Sequence, residues 1–164
     1  GSFALPFYSP WEGVIPYEQI KEIVKAFIDA GATQISLSDS AGLGDPQLVY
    51  ERTMALRDDF PEMDWMLHMH NTRGMGLANV VAAMEAGIDK IDTSLAGLGG
   101  CPYIKGATGN ISTEDVLFML DSMGIETGMD FEKIMEAGEK IIRLTKGVGT
   151  DSYQQRIRAL AGNQ

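Results

Sequence analysis

His68 and His70 are the only two histidines in the chain, and a single residue separates them. The segment they close, Trp65-Met66-Leu67-His68-Met69-His70, reads as a β-strand, in which residues i and i+2 share a face. Both imidazoles can therefore converge on one cation. Two nitrogens do not complete a metal site, so further oxygen or nitrogen donors must come from elsewhere in the fold. Asn110 offers a neutral amide oxygen, and a mixed set of His, Asn and carboxylate donors suits Mg²⁺ or Mn²⁺, with Zn²⁺ or Co²⁺ also admissible. The single cysteine, Cys101, sits in Gly97-Leu98-Gly99-Gly100-Cys101-Pro102-Tyr103, just ahead of Gly106-Ala107-Thr108-Gly109-Asn110. Glycine permits positive φ and close backbone approach to a ligand, so this stretch reads as a loop carrying one reactive thiol over the metal site. Asp39, at the end of another apparent strand, is either the anchor of an Asx-turn or a further site residue.

The elements that must position these groups follow from periodicity. Phe3-Ala4-Leu5 is a short apolar start, followed by a Pro-rich loop from Pro6 to Pro16 with Trp11-Glu12-Gly13 at its tip. Ile20, Ile23, Val24, Phe27 and Ile28 recur at helical spacing, and Gly31 closes that helix. Gln34 to Ser38 is a strand, after which Asp45 caps a helix with Pro46 at its first position, running to about Phe60. The strand ending in His70 is followed by a helix through Leu77, Val80, Val81 and Met84, ending near Gly87. Ile88 to Leu95 is predicted as a strand leading into the glycine loop. Ser112 caps the next helix, with Asp115 at the box position, and Met129 to Arg143 is predicted as a further helix. The alternation of strand, loop and helix at about thirty residues per unit predicts βα units and a parallel sheet. In such sheets functional groups gather at the carboxyl ends of the strands, where Asp39, His68, His70 and Cys101 all fall.

Composition narrows the function. A formal charge of −10 argues against non-specific nucleic-acid binding, which needs a basic footprint. No apolar run approaches the roughly 18 residues that cross a bilayer, and no signal-peptide pattern occurs, so a cytoplasmic protein is the expectation. A lone cysteine agrees with a reducing compartment. The opening Gly1-Ser2 lacks an initiator methionine and reads as a cleavage scar or truncation point.

The residues from about Phe3 to Leu144 resemble the carboxyl-terminal half of the 3-hydroxy-3-methylglutaryl-CoA lyases, metallolyases built on a TIM barrel. The resemblance rests on Ile35-Ser36-Leu37-Ser38-Asp39-Ser40, His68-Met69-His70-Asn71-Thr72, Leu77-Ala78-Asn79, Ala96 through Asn110, and Thr113-Glu114-Asp115. The glycine-cysteine loop is the most specific of these pieces. It implies an α/β fold, a partial (β/α)₈ barrel with about four carboxyl-terminal βα units plus helices, over residues 1–146, and a tail over 147–164. It implies that His68, His70 and Asn110 ligate a divalent cation, joined by an aspartate from the barrel's first strand. Catalysis would involve Cys101 as an acid/base group, Asp39 as a plausible base, and His68. The implied reaction is retro-Claisen cleavage of 3-hydroxy-3-methylglutaryl-CoA to acetyl-CoA and acetoacetate.

A complete barrel of this kind runs to about 250 residues, so the resemblance also implies an absent amino-terminal half. The chain alone is expected to be inactive, and its unpaired sheet edges predict self-association into a homo-oligomer. Two alternatives share these residues: a lyase for a different 3-hydroxyacyl-CoA, and a non-enzymatic half-barrel module. Two positions depart from the family, Asn71 where Asp is usual and Arg73 where an aromatic is common. The first bears on the surroundings of the metal and the second on the acyl pocket.

Overall fold

The computed structural model describes residues 1–100, 104 and 106–162. Its centre is a parallel four-stranded sheet in the order β1 (Ser2–Phe3), β4 (Gln34–Asp39), β5 (Asp64–Met69), β6 (Ile91–Asp92). Helices α1 (Tyr17–Asp29), α2 (Pro46–Asp59) and α3 (Gly76–Glu85) make the crossovers. Ile35 and Leu37 of β4 and Trp65, Leu67 and Met69 of β5 alternate onto one buried face. There they join a single core with Ile20 and Val24 of α1, Val49 and Leu56 of α2, and Val80 of α3. The opposite face is polar. Ser36, Ser38, Ser40, Met66, His68 and Asp92 line an open concavity of about 320 Å³ there. The sheet is thus two-sided, apolar toward its helices and lined with serines on the other face. Among the described residues it remains open, with β1 and β6 as its edges.

Local chemistry sets most boundaries where the residues place them. Asp45 accepts a hydrogen bond from Leu48 N at 3.0 Å with Pro46 at the first helical position, and Gly31 takes φ +88° beyond α1. The Pro6–Pro16 loop contains a small hairpin, β2 (Tyr8–Ser9) against β3 (Gly13–Val14). Buried Arg52 of α2 clamps its base, donating to the Pro6 and Ile15 carbonyls at 2.7 and 2.9 Å.

Four expectations change. The strand predicted over Ile88–Leu95 pairs as a strand only at Ile91–Asp92. Beyond it, residues 109–112 thread between the end of β5 and Ser94: Ile111 N donates to Met69 O, and Ser94 N to Ile111 O. Direct pairing of β5 with β6 cannot continue past that insertion, and the chain turns instead through a 3₁₀ turn at Leu95–Gly97. Ser112 does cap α4 (Thr113–Ser122), but Asp115 does not return its carboxylate to that cap. It accepts from Ser152 Oγ, Tyr153 N and Gln154 N at 2.9 to 3.2 Å. Helix α5 (Phe131–Thr145) begins two residues later than Met129, because Asp130 is its cap. The polar tail carries a helix, α6 (Tyr153–Ala161), whose first turn Asp115 holds. Among the described residues no helix is long and apolar enough to cross a membrane.

Arg52→Met would leave the Pro6 and Ile15 carbonyls buried without a donor. The expected loss is about 1–3 kcal/mol in urea unfolding; an unchanged midpoint would remove the clamp from the account.

Candidate metal centre

His68 points from β5 onto the polar face, where β6 places Asp92 in register with it. The imidazole Nδ1 lies 2.9 Å from the Asp92 carboxylate, which leaves Nε2 as the nitrogen available to another group. A carboxylate on the far nitrogen is the usual support of a ligating histidine. His70 follows at the end of β5, its ring centroid 5.3 Å from that of His68 and its plane tilted by 65°. It is buried. Burial pushes its pKa below the ordinary histidine value, and the neighbouring His68 adds to this, against a hydrogen bond to the Thr108 backbone and the charge of Asp39. A neutral imidazole is the form that binds metal.

Asn110 arrives by the insertion described above. Its backbone bridges that of His70 in antiparallel fashion, while Asn71 N donates to Gly109 O. The Asn110 amide donates from Nδ2 to the Leu98 carbonyl at 2.9 Å. Its Oδ1 is buried without a hydrogen-bond partner, as is His70 Nδ1. Orphaned buried acceptors are rare because each forfeits its hydration. Here two lie on backbone-paired residues beside His68. A nitrogen and a neutral amide oxygen form a donor set that fits a divalent cation. Among the described residues no cluster of three or more His, Cys, Asp or Glu could hold a metal, so a cation here would also need donors from elsewhere.

Asp39 is placed differently. It shares the helix-facing side of β4 with Ile35 and Leu37 and is 1% exposed. Its carboxylate accepts from Leu43 N at 3.2 Å and Gly44 N at 2.8 Å, organising the loop into α2. Burial raises its pKa above the usual carboxylate value, opposed by the backbone N–H groups of Gly44, Leu43 and Gly42 and by His70. This is the geometry of the Asx-turn reading. Cys101 lies outside the described residues. The roots of its loop touch, however: a Cβ on Gly109 would stand 1.8 Å from the Gly97 carbonyl, so the approach requires glycine.

The two departures from the family pattern acquire definite roles. Asn71 Oδ1 accepts from Gly76 N at the start of α3, and Arg73 donates to the Ala41 carbonyl. Together they tie the loops after β4 and β5 to their neighbours. Sequence reasoning missed Asp92 as the partner of His68; its position at the carboxyl end of β6 was the available signal. It also missed buried Asn79, which donates to the Gly44 carbonyl across the loop that Asp39 organises.

The HMGL-like family model matches residues 5–141. Mitochondrial hydroxymethylglutaryl-CoA lyase of Homo sapiens is 41% identical over 132 residues, which are 80% of this chain and 41% of that enzyme. Cytoplasmic 3-hydroxy-3-methylglutaryl-CoA lyase of Mus musculus is 41% identical over 134 residues, 82% of this chain and 39% of that enzyme. A solved HMG-CoA lyase from Acinetobacter baumannii, in complex with coenzyme A and 3-methylmalate, superposes with a TM-score of 0.87 at 36% identity. That superposition covers 95% of this chain and 51% of the other. The chain thus spans about two fifths of the length of the curated relatives it matches. With a family match across most of its residues and an α/β fold shared with solved HMG-CoA lyases, the chain belongs to the HMGL-like family.

Proposed function

We propose that this chain is the carboxyl-terminal half of a TIM-barrel lyase that cleaves 3-hydroxy-3-methylglutaryl-CoA to acetyl-CoA and acetoacetate with a divalent cation, Mg²⁺ or Mn²⁺. The observation that carries the reading is the backbone pairing of His70 with Asn110, each holding a buried acceptor atom without a partner, beside a carboxylate-supported His68. The open polar face and unpaired sheet edges support a missing amino-terminal half, which would supply the remaining carboxylate ligand. The chain alone is then inactive, and its edges favour self-association. Relatives are named for both the mitochondrion and the cytoplasm, and we assign this chain to the cytoplasm.

The cation, when bound, supplies Lewis acidity toward the substrate's developing alkoxide. His70, held neutral by burial, and Asn110, oriented by the Leu98 carbonyl, would hold the ion with His68. The Asp92 carboxylate keeps the His68 ring in one orientation and leaves its Nε2 for the ion. Cys101 would deliver a proton from Sγ to the thioester enolate released by carbon–carbon cleavage. The substrate's hydroxyl proton would pass to a base supplied by the missing amino-terminal half, while Asp39 shapes the neighbouring loop.

Acetoacetate release from 3-hydroxy-3-methylglutaryl-CoA, measured in a chain extended by the amino-terminal half-barrel, should require Mg²⁺ or Mn²⁺. Cys101→Ala should lower kcat by about 10²–10⁴. A folded, metal-loaded enzyme that cleaves only other 3-hydroxyacyl-CoAs would replace the substrate, and one that cleaves none would return the non-enzymatic reading. Asp92→Asn should weaken Mn²⁺ binding by about 10–100-fold, read by calorimetry; undiminished affinity would remove Asp92 from the support of the site.

For Asp39, a carbon-detected NMR titration should find a midpoint above the ordinary carboxylate value. Its folded form binds a proton more readily than its unfolded form. The stability it contributes is therefore full below the unfolded carboxylate pKa and declines as pH rises through the folded value. A midpoint at or below the ordinary value would contradict the buried placement.

A further inference from the structure

We propose that the segment Gly149–Gln155 is a positioning element for the candidate metal centre and that Gln155 is its central positioning residue. The inference rests on the reading of Asn110 as a ligand. Which atom Asn110 offers is decided by the Leu98 carbonyl, which takes the Nδ2 donor and so leaves Oδ1 free. Leu98 lies in a turn whose two flanks are both bonded to the carboxyl-terminal segment. Asp151 N donates to Ala96 O at 2.8 Å on one side, and Gly99 N donates to Gly149 O at 3.2 Å on the other. Between them Gly97 leaves no room for a side chain, since a Cβ would stand 2.4 Å from the Asp151 carbonyl.

The turn itself is one that an alanine adopts reluctantly. Ala96 has φ 54°, in the left-handed region that disfavours a Cβ. Its N–H is gripped by both oxygens of Glu114, at 3.0 and 2.9 Å, and Glu114 is wholly buried. Gln155 completes the grip: its Nε2 donates to Glu114 Oε1 at 2.9 Å and to the Met135 carbonyl at 2.8 Å. Helix α5 makes room for this pair with a glycine in its interior, Gly138, where a Cβ would fall within 2.5 Å of both Glu114 Oε1 and Gln155 Nε2. Glycine in a helix interior is unfavourable and marks a place where packing demands it.

Apolar burial does not account for the docking of α6. Its largest apolar side chains, Tyr153, Ile157 and Leu160, are 50%, 59% and 70% exposed. The helix is held by polar contacts, Asp115 at its first turn and Glu114 at Gln155, and these converge with the Asp151 and Gly149 contacts on the turn that aims Asn110. A segment needed only for bulk stability would be expected to bury its apolar stripe.

The test uses this chain without metal and then, extended by the amino-terminal half-barrel, with Mn²⁺ alone. Gln155→Met keeps side-chain volume and helix propensity while removing both donors. Amide hydrogen exchange at Ala96 and Gly99 should accelerate at least ten-fold and the Asn110 side-chain NMR signal should shift, with Leu37 and Leu67 unchanged. Wild-type rates at Ala96 and Gly99 in a folded Gln155→Met protein would overturn the proposal. If that variant does not fold, Ser152→Ala, which loosens the first turn of α6 and leaves the Gln155–Glu114 pair, should accelerate exchange at Gly99, whose N–H is bonded to Gly149, more than at Ala96; wild-type rates at Gly99 would overturn the positioning role of the segment. Mn²⁺ should broaden the Asn110 and His70 signals of the wild type and bind Gln155→Met at least ten-fold more weakly. Equal affinities overturn the positioning role. A wild type that Mn²⁺ does not touch fails the metal reading instead, and the exchange rates and the Asn110 signal then decide the positioning role alone.

Discussion

The site depends on one stretch of backbone pairing, the insertion of residues 109–112 between the end of β5 and Ser94. Parallel strands β5 and β6 pair directly only through Leu67–Ile91 and His68–Asp92. Past that point each strand satisfies its backbone groups on the inserted segment, since buried N–H and C=O groups must find partners. Asn110 comes to lie against His70 as a consequence, and the glycine loop is drawn closed at its roots by Gly109 and Gly97. The same insertion carries Ser112 into place as the cap of α4.

Buried carboxylates arrange the loops around this insertion. Asp39 accepts from the backbone after β4, Glu114 from Ala96 and Gln155, and Asp115 from the first turn of α6. Each is satisfied by N–H or O–H donors supplied largely by the main chain. Charge-assisted bonds of this kind are shorter and stronger than neutral ones, and they fix the direction of a loop as well as its position. A chain with many acidic residues can thus bury several of them to hold its loops, while the polar concavity remains lined by neutral serines beside the His68–Asp92 pair.

The packing divides along the sheet. The helix-facing side is one continuous apolar core, whereas the other side carries Ser36, Ser38 and His68 toward open space. This asymmetry accords with superposition on about half of a solved HMG-CoA lyase. On the proposed reading, the same asymmetry leaves the two imidazoles and the amide as a partial donor set on one side of the sheet.

Periodicity alone determined the βα rhythm, the caps at Asp45 and Ser112, and the placing of His68 and His70 on one face, because each follows from spacing along a single element. The glycine-cysteine loop likewise identified the family through local pattern. The choice between the two readings of Asp39 was not legible, since alternation places it on the face of Ile35 and Leu37 but does not say which backbone N–H groups meet its carboxylate there. Nor was the second use of Asp115, whose partners lie nearly forty residues away in α6. The shortened β6, the antiparallel bridge of Asn110 to His70 and the convergence of Gln155 on Glu114 depend on which distant backbone groups compete for the same hydrogen bonds. Only the tertiary structure decided that competition, because it is settled by packing among elements that no local spacing encodes.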